Sequence, residues 1–149
     1  MAEARKRAVR RKPKTADKVA EPQTDTAELA RICARVASDR KAEEIVVLDL
    51  SRLTYVTDYF VIASAGNSRQ MTAISGAVQE EMSRHGVRCL GAEGVGETRW
   101  TLLDFGDIIV HIFDPEWRKL YDLDLLWGDV PRLDWTPPPA KPRRATARK

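Results

Sequence analysis

Asp122-Leu123-Asp124 is the one spaced carboxylate pair in a setting that suggests a site. Metal-dependent nucleotidyl transfer would use such a pair on one face of a strand, close enough to bridge ions. Here it falls in the C-terminal segment, after a helix start and among leucines, where an acidic edge facing solvent or a partner is the expected reading. His111 stands between Val110 and Ile112. A general base would need a nucleophile or an orienting carboxylate, and no Ser/Cys–His–Asp arrangement can be assembled; a hydrogen bond within or beside a sheet is expected instead. His85 falls at a helix C-terminus, where the dipole favours a cation. Gly66-Asn67-Ser68-Arg69 lies between a strand and a helix, where backbone amides can hold phosphate. It has a single glycine and neither the dinucleotide nor the P-loop pattern, so capping is expected. Gly91-Ala92-Glu93-Gly94-Val95-Gly96 precedes a strand, whereas a phosphate cradle precedes a helix, and reads as a mobile loop. Cys33, Cys89, His85 and His111 are too scattered for a zinc set, and buried thiols in a reducing cytosol are expected. No catalytic residue, metal or cofactor is assigned.

A different chemistry is suggested by Gly106–Phe113 and the segment Arg118–Trp127 that follows it. A buried-type strand runs into a short stretch crowded with aromatic and acidic side chains. Tyr and Trp supply stiff contact area with a polar tip, which binding hot spots favour. The alternative is that Tyr121 and Trp127 close the edge of the core. The charge distribution points the same way as the hot-spot reading. Residues 1–26 carry eight Lys/Arg against four Asp/Glu, and residues 136–149 carry five basic residues and no acidic one, whereas 27–135 sums to −6. An acidic body with two basic tails suits a body that meets a basic partner while the tails meet phosphate, or else simply solubilising tails.

The 149 residues suffice for one domain with a core. No apolar run reaches the ~18 residues of a membrane span. Met1 to Arg7 leads into further charge, so no secretory signal is expected, and Pro13, Asp17, Glu21 and Pro22 interrupt the acid-poor helix of a presequence. The expected organisation is a disordered basic tail over 1–24, one domain over 25–135, and a disordered basic, proline-containing tail over 136–149. Asp25 reads as an N-cap with Glu28 reaching back, and Leu29, Ile32, Cys33 and Val36 form one apolar stripe of a helix ending near Asp39. Ile45–Leu50 is apolar on both faces, as in a strand inside a covered sheet. Tyr59–Ser64 is a second buried strand. Asn67 then caps a helix whose buried face is Met71, Ile74, Val78 and Met82, stopping at Gly86. Val87–Leu90 reads as a short strand. Trp100–Leu103 and Ile108–Phe113 form a hairpin about Asp104–Asp107, and Asp114-Pro115 starts a last helix. The order α-β-β-α-β-β-β-α gives an α/β fold of the α+β type, a small mixed sheet flanked by helices.

Several motifs, in order, then resemble the ribosomal silencing factor (Iojap-related) family. They are Asp49-Leu50-Ser51; Thr57–Ala63; Asn67-Ser68-Arg69-Gln70; Glu93-Gly94; Trp100; Asp104-x-Gly106-Asp107; Val110–Phe113; and Arg118-x-x-Tyr121-x-Leu123-x-x-Leu126-Trp127. The match spans about residues 27–131, nearly the whole expected domain. The resemblance implies a nucleotidyltransferase-like fold without the catalytic apparatus, and therefore no enzyme. It implies binding to the large ribosomal subunit through ribosomal protein fourteen, steric exclusion of the small subunit and repression of translation. Trp100, Tyr121, Leu123 and Trp127 match positions of the binding surface or its support, with Leu120 and Asp124 in the same segment. Tyr121 and Trp100 are expected to anchor, and Asp124 to meet basic side chains of the partner. Where the family often has Glu, this chain has Asp124, one methylene shorter. A bacterial cytoplasm is expected over an organelle. A homodimer, an RNA-binding assembly factor working through its tails, and a nucleotidyltransferase using Asp122 and Asp124 are the alternatives.

Overall fold

β-Branched and aromatic runs bounded by turn residues produce five strands, and stripes of small and apolar residues produce the helices that cover them. The computed structural model describes residues 25–53, 57–95 and 99–136. In chain order the elements are α1 (Thr26–Asp39), β1 (Glu43–Asp49), β2 (Tyr59–Ser64), α2 (Ser68–Arg84), β3 (Gly91–Glu93), β4 (Trp100–Asp104), β5 (Ile108–Phe113), α3 (Pro115–Tyr121) and α4 (Leu123–Leu126). The sheet order is β1-β2-β5-β4-β3. Among the described residues only β2 and β5 run parallel; the other three pairings are antiparallel, which makes the sheet mixed as expected.

Alternation along the strands splits the core into two layers. Val47, Val61, Ala63, Leu103, Val110 and Ile112 face α1 and α2. Leu48, Ile62, Trp100 and Phe113 face the opposite way, and Trp117, Leu123, Trp127 and Val130 of the C-terminal segment cover them. This second layer carries the aromatic side chains and, with them, the candidate site.

The α2 expectations hold in detail. The Asn67 side chain accepts the Gln70 N–H at 2.8 Å, and Met71, Ile74, Val78 and Met82 are buried. Gly86 ends the helix at φ +79°, a conformation that costs glycine nothing. The hairpin also forms, with β4 and β5 paired from Trp100↔Phe113 to Asp104↔Ile109.

Four expectations are corrected. Asp25 takes the N-cap position of α1 but makes no side-chain cap hydrogen bond, and Glu28, instead of reaching back, pairs forward with Arg31 (3.1 Å) and Arg35 (3.3 Å). The buried stripe of α1 is Leu29, Ala30, Cys33, Ala34 and Ala37; Ile32 and Val36 lie at its margin, since alanines allow the closest approach to the sheet. β1 is an edge strand, but the segment after α4 runs antiparallel along it. Asp49 N–H donates to the Pro131 carbonyl (2.9 Å) and Leu133 N–H to that of Val47 (2.8 Å). That strap satisfies the open edge a double-sided apolar strand would otherwise expose. Finally, the third strand is Gly91–Glu93 and not Val87–Leu90, because Gly91, Ala92 and Glu93 pair with Asp104, Leu103 and Leu102. Half of the expected mobile loop is therefore sheet; Gly96 lies outside the described residues, as do the expected tails 1–24 and 137–149.

Candidate partner-binding surface

The surface is built on the second layer of the core. Trp100 is 0% exposed, and its indole N–H donates to Nδ1 of His111 at 3.1 Å, which satisfies the polar tip of a buried ring. The expected role of His111, a hydrogen bond within the sheet, is the one it plays. Trp100 stacks on Phe113 with centroids 4.8 Å apart, and the Tyr121 ring lies 4.8 Å from Trp100 on this aromatic floor. Trp117 flanks Tyr121 at 5.4 Å. The anchoring expectation for Trp100 is therefore corrected: no part of its ring reaches solvent, and it can act only as support beneath Tyr121.

Tyr121 is held there by a well-terminated helix. The Asp114 carboxylate accepts the Trp117 N–H at 2.8 Å with Pro115 at the first position, as expected. Arg99 reinforces the start through Asp114 (3.0 Å) and Glu116 (3.4 Å), with its guanidinium 5.9 Å from the Trp117 ring centroid.

The expected single last helix is in fact two. Asp122 takes the left-handed conformation (φ 40°, ψ 56°), ends α3 and caps α4 through the Leu125 N–H at 3.2 Å. This kink turns the chain across the end of the sheet. Arg118, 7% exposed, fixes the angle: Nε and Nη2 donate to the two carboxylate oxygens of Asp124 at 2.9 and 3.0 Å, and Nη1 donates to the Ser64 hydroxyl at 2.8 Å. The planar fork matches the carboxylate, a geometry lysine cannot reproduce. Partial burial alone would raise the Asp124 carboxyl, but hydrogen bonds and charge from Arg118, with the charge of Arg132, hold it below the usual range.

These contacts correct one more expectation, the one for Asp124. Both Asp124 oxygens are engaged by Arg118, so this carboxylate positions α4 and is not a free contact for a basic partner. Asp122 is consumed as a cap, so the pair does not form a bridging site on a strand. Among the described residues no cluster of three or more His, Cys, Asp or Glu could hold a metal ion. At Gly66 the amide N–H is taken by Gln70 Oε1 at 2.6 Å, in keeping with capping.

With the kink locked, Leu123 and Trp127 turn inward, Trp127 meeting Phe60 edge-on at 6.0 Å. Leu120 (68% exposed), Leu125 (74%) and Leu126 (68%) turn outward beside Tyr121 (38%). Large apolar side chains held out together in this way mark an interaction surface. Leu125, Leu126 and the positioning residue Arg118 were absent from the expected set. Spacing sets Leu125 opposite Leu123 but puts Leu126 on the side of Leu123, so only Leu125 carried a signal of facing outward.

A family profile described as "Ribosomal silencing factor during starvation" matches residues 23–149. The chain is 36% identical over 106 residues to Ribosomal silencing factor RsfS of Bacillus subtilis, covering 71% of this chain and 90% of that one. It is 38% identical over 104 residues to the chloroplastic protein Iojap of Zea mays, covering 68% of this chain and 44% of the maize protein. A crystal structure of a protein from Chromobacterium violaceum superposes with a TM-score of 0.67 at 33% identity, covering 70% of this chain and 88% of that one.

Proposed function

The chain belongs to the ribosomal silencing factor family, a family of ribosome-associated translation regulators, and from that premise we propose that it is an anti-association factor acting by steric exclusion. The body docks on the large ribosomal subunit through ribosomal protein fourteen and occupies surface that the small subunit needs. No bond is made or broken in this mechanism, which asks only for a rigid body with one adhesive face. The bacterial cytoplasm is the proposed setting; no helix among the described residues is long and apolar enough to cross a membrane.

The observation that carries the reading is the outward group Leu120, Tyr121, Leu125 and Leu126, held over a buried aromatic floor. Tyr121 has the makings of a hot spot: a rigid ring, supported from below, with apolar neighbours to exclude water. The net −6 of residues 27–135 complements a basic ribosomal protein and would speed encounter more than it would tighten the complex. Leu123, Trp127, Trp100 and the Arg118–Asp124 pair serve this surface from behind, and the basic terminal segments add salt-sensitive attraction to nearby ribosomal RNA. A homodimer through the same leucines would compete with docking.

Co-sedimentation with purified large subunits tests the docking step. Leu125→Asp changes a side chain that supports no packing, so the fold should survive. Wild-type protein should pellet with the subunit, and the variant should bind about 30-fold more weakly, the equivalent of ~2 kcal/mol. Equal pelleting of the two would remove this face from the interaction.

A further inference from the structure

We propose that a small cavity at one end of the sheet is a binding site for a free α-amino acid with a short side chain. The inference goes beyond the docking reading above, since no residue of the leucine face lines this cavity.

β2 and β5 form the one parallel pair among the described residues, and their carboxyl ends lie side by side, with Ser64 opposite Phe113. The helices that follow them leave to opposite layers. α2 packs Met71, Ile74 and Val78 into the first, and α3 packs Trp117 into the second. Divergence of this kind opens a crevice beyond the strand ends, which is where open α/β sheets hold their ligands. Here it has a volume of about 110 Å³, walled by Lys41 and Glu43, by Ser64 and Gly66 at the end of β2, by Gln70 of α2 and by Pro115 of α3. The walls are tied together. Gln70 Oε1 accepts the Gly66 N–H at 2.6 Å, and Gln70 Nε2 donates to the Arg40 carbonyl at 3.0 Å, which staples the turn before β1 to the start of α2. A cavity fixed in this way needs little ordering to receive a ligand.

Three polar groups on these walls are uncommitted. Ser64, 4% exposed, accepts a hydrogen bond from Nη1 of Arg118 at 2.8 Å. A guanidinium only donates, so the hydroxyl proton is turned away from it, and no described residue receives that proton. A buried donor without an acceptor marks a place for one. Lys41 and Glu43 carry opposite charges on the same cavity, yet among the described residues neither side chain has an ion-pair or hydrogen-bond partner. Glu43 stands opposite Ser64 across the β1–β2 ladder, so the two side chains leave the sheet on one face.

A bare anion would meet Glu43 here, and a bare cation would meet Lys41. A zwitterion answers both. Its carboxylate takes the Ser64 proton and the Lys41 ammonium at the positive end of the 17-residue α2, and its ammonium pairs with Glu43. Volume sets the rest. About 110 Å³ is room for about four waters and roughly a third of the smallest drug-sized pocket, so glycine or alanine fits and a side chain the size of leucine does not.

The test titrates the ¹⁵N-labelled full-length chain with L-alanine at pH 7, where both α-groups are charged, and follows the amide signals by NMR. Shifts centred on Lys41, Glu43, Ser64, Gly66 and Gln70 should saturate at about millimolar ligand, within what so small a ligand can reach. Lys41 and Glu43 are exposed, so Lys41→Gln and Glu43→Gln keep the fold; each should weaken binding roughly tenfold or more. Propionate and ethylamine, which each keep one charge of alanine, should bind weaker by a similar factor, as should L-leucine. Propionate as tight as alanine would reduce the cavity to an anion site and overturn the proposal. So would equal binding of L-leucine, wild-type affinity in either variant, or no saturable shift at these residues. No ribosome takes part, so failure here leaves subunit docking through the leucine face to be judged on its own.

Discussion

Replacing Arg118 by methionine keeps the aliphatic bulk and deletes the fork that fixes α4. Three donated hydrogen bonds disappear, two to Asp124 and one to the buried Ser64 hydroxyl. Breaking a buried ion pair by removing one partner costs roughly 3–5 kcal/mol when the survivor stays dry. The Asp124 side chain is 26% exposed, so water rescues part of it, and the Ser64 hydroxyl adds about 1 kcal/mol for its lost partner. A net loss of about 3 kcal/mol follows, which moves the urea midpoint down by about 2 M for a slope near 1.5 kcal/mol/M. Urea unfolding followed by tryptophan fluorescence measures it directly. Arg118→Lys keeps the charge without the bidentate geometry and should recover no more than about half of the loss. A double-mutant cycle with Asp124→Asn should give a coupling above about 1 kcal/mol. A loss under about 0.5 kcal/mol for Arg118→Met, or an additive cycle, would refute the claim that this pair sets the C-terminal segment.

Acid should weaken the same contact. The Asp124 carboxyl lies below its ordinary value in the folded chain, so its contribution is complete above the ordinary carboxylate range and is lost as pH falls through the folded value. Stability measured from pH 6 to pH 2 should fall less steeply in Arg118→Met than in wild type; parallel curves would contradict this. Burial pushes the Cys33 thiol up to about 12, and the half-buried Cys89 thiol is also raised by burial. Cys89 is thus not the buried thiol expected, and a thiol reagent at pH 8 should label it in the native protein and both cysteines only in denaturant; rapid native labelling of Cys33 would show that α1 opens. Gly86→Ala meets open space but keeps a positive φ, so thermal unfolding should report a loss of about 1 kcal/mol from backbone strain alone, and an unchanged midpoint would mean that the α2 terminus relaxes.

What was legible in the sequence followed from strong local signals. Val110 to Phe113, Tyr59 to Ser64, the Asn67 and Asp114 caps and the Gly86 stop each have one structural outcome, and the structure has it. The third strand was misplaced because Gly91–Glu93 has no strand propensity of its own; pairing with β4 decides it. The α1 stripe drifted to the alanines because close approach to the sheet, not hydrophobicity alone, selects the buried side. At the site, Tyr121 was readable from residue type, whereas Leu123 entered only through the family resemblance. Trp100's burial was not, since the same ring suits a floor or an anchor. The kink at Asp122 was hidden as well, because a left-handed aspartate leaves no periodic trace, and with it went the outward leucines and the role of Arg118.

Steric exclusion is read out at the step it blocks, the joining of the two subunits. Light scattering would follow purified large and small ribosomal subunits as they associate, the large subunit first incubated with increasing amounts of this protein or of Tyr121→Ala. Wild type should suppress joining in proportion to dose, and the variant should need about 30-fold more protein, as for a hot spot worth ~2 kcal/mol. Normal joining at saturating, folded wild-type protein would contradict the account.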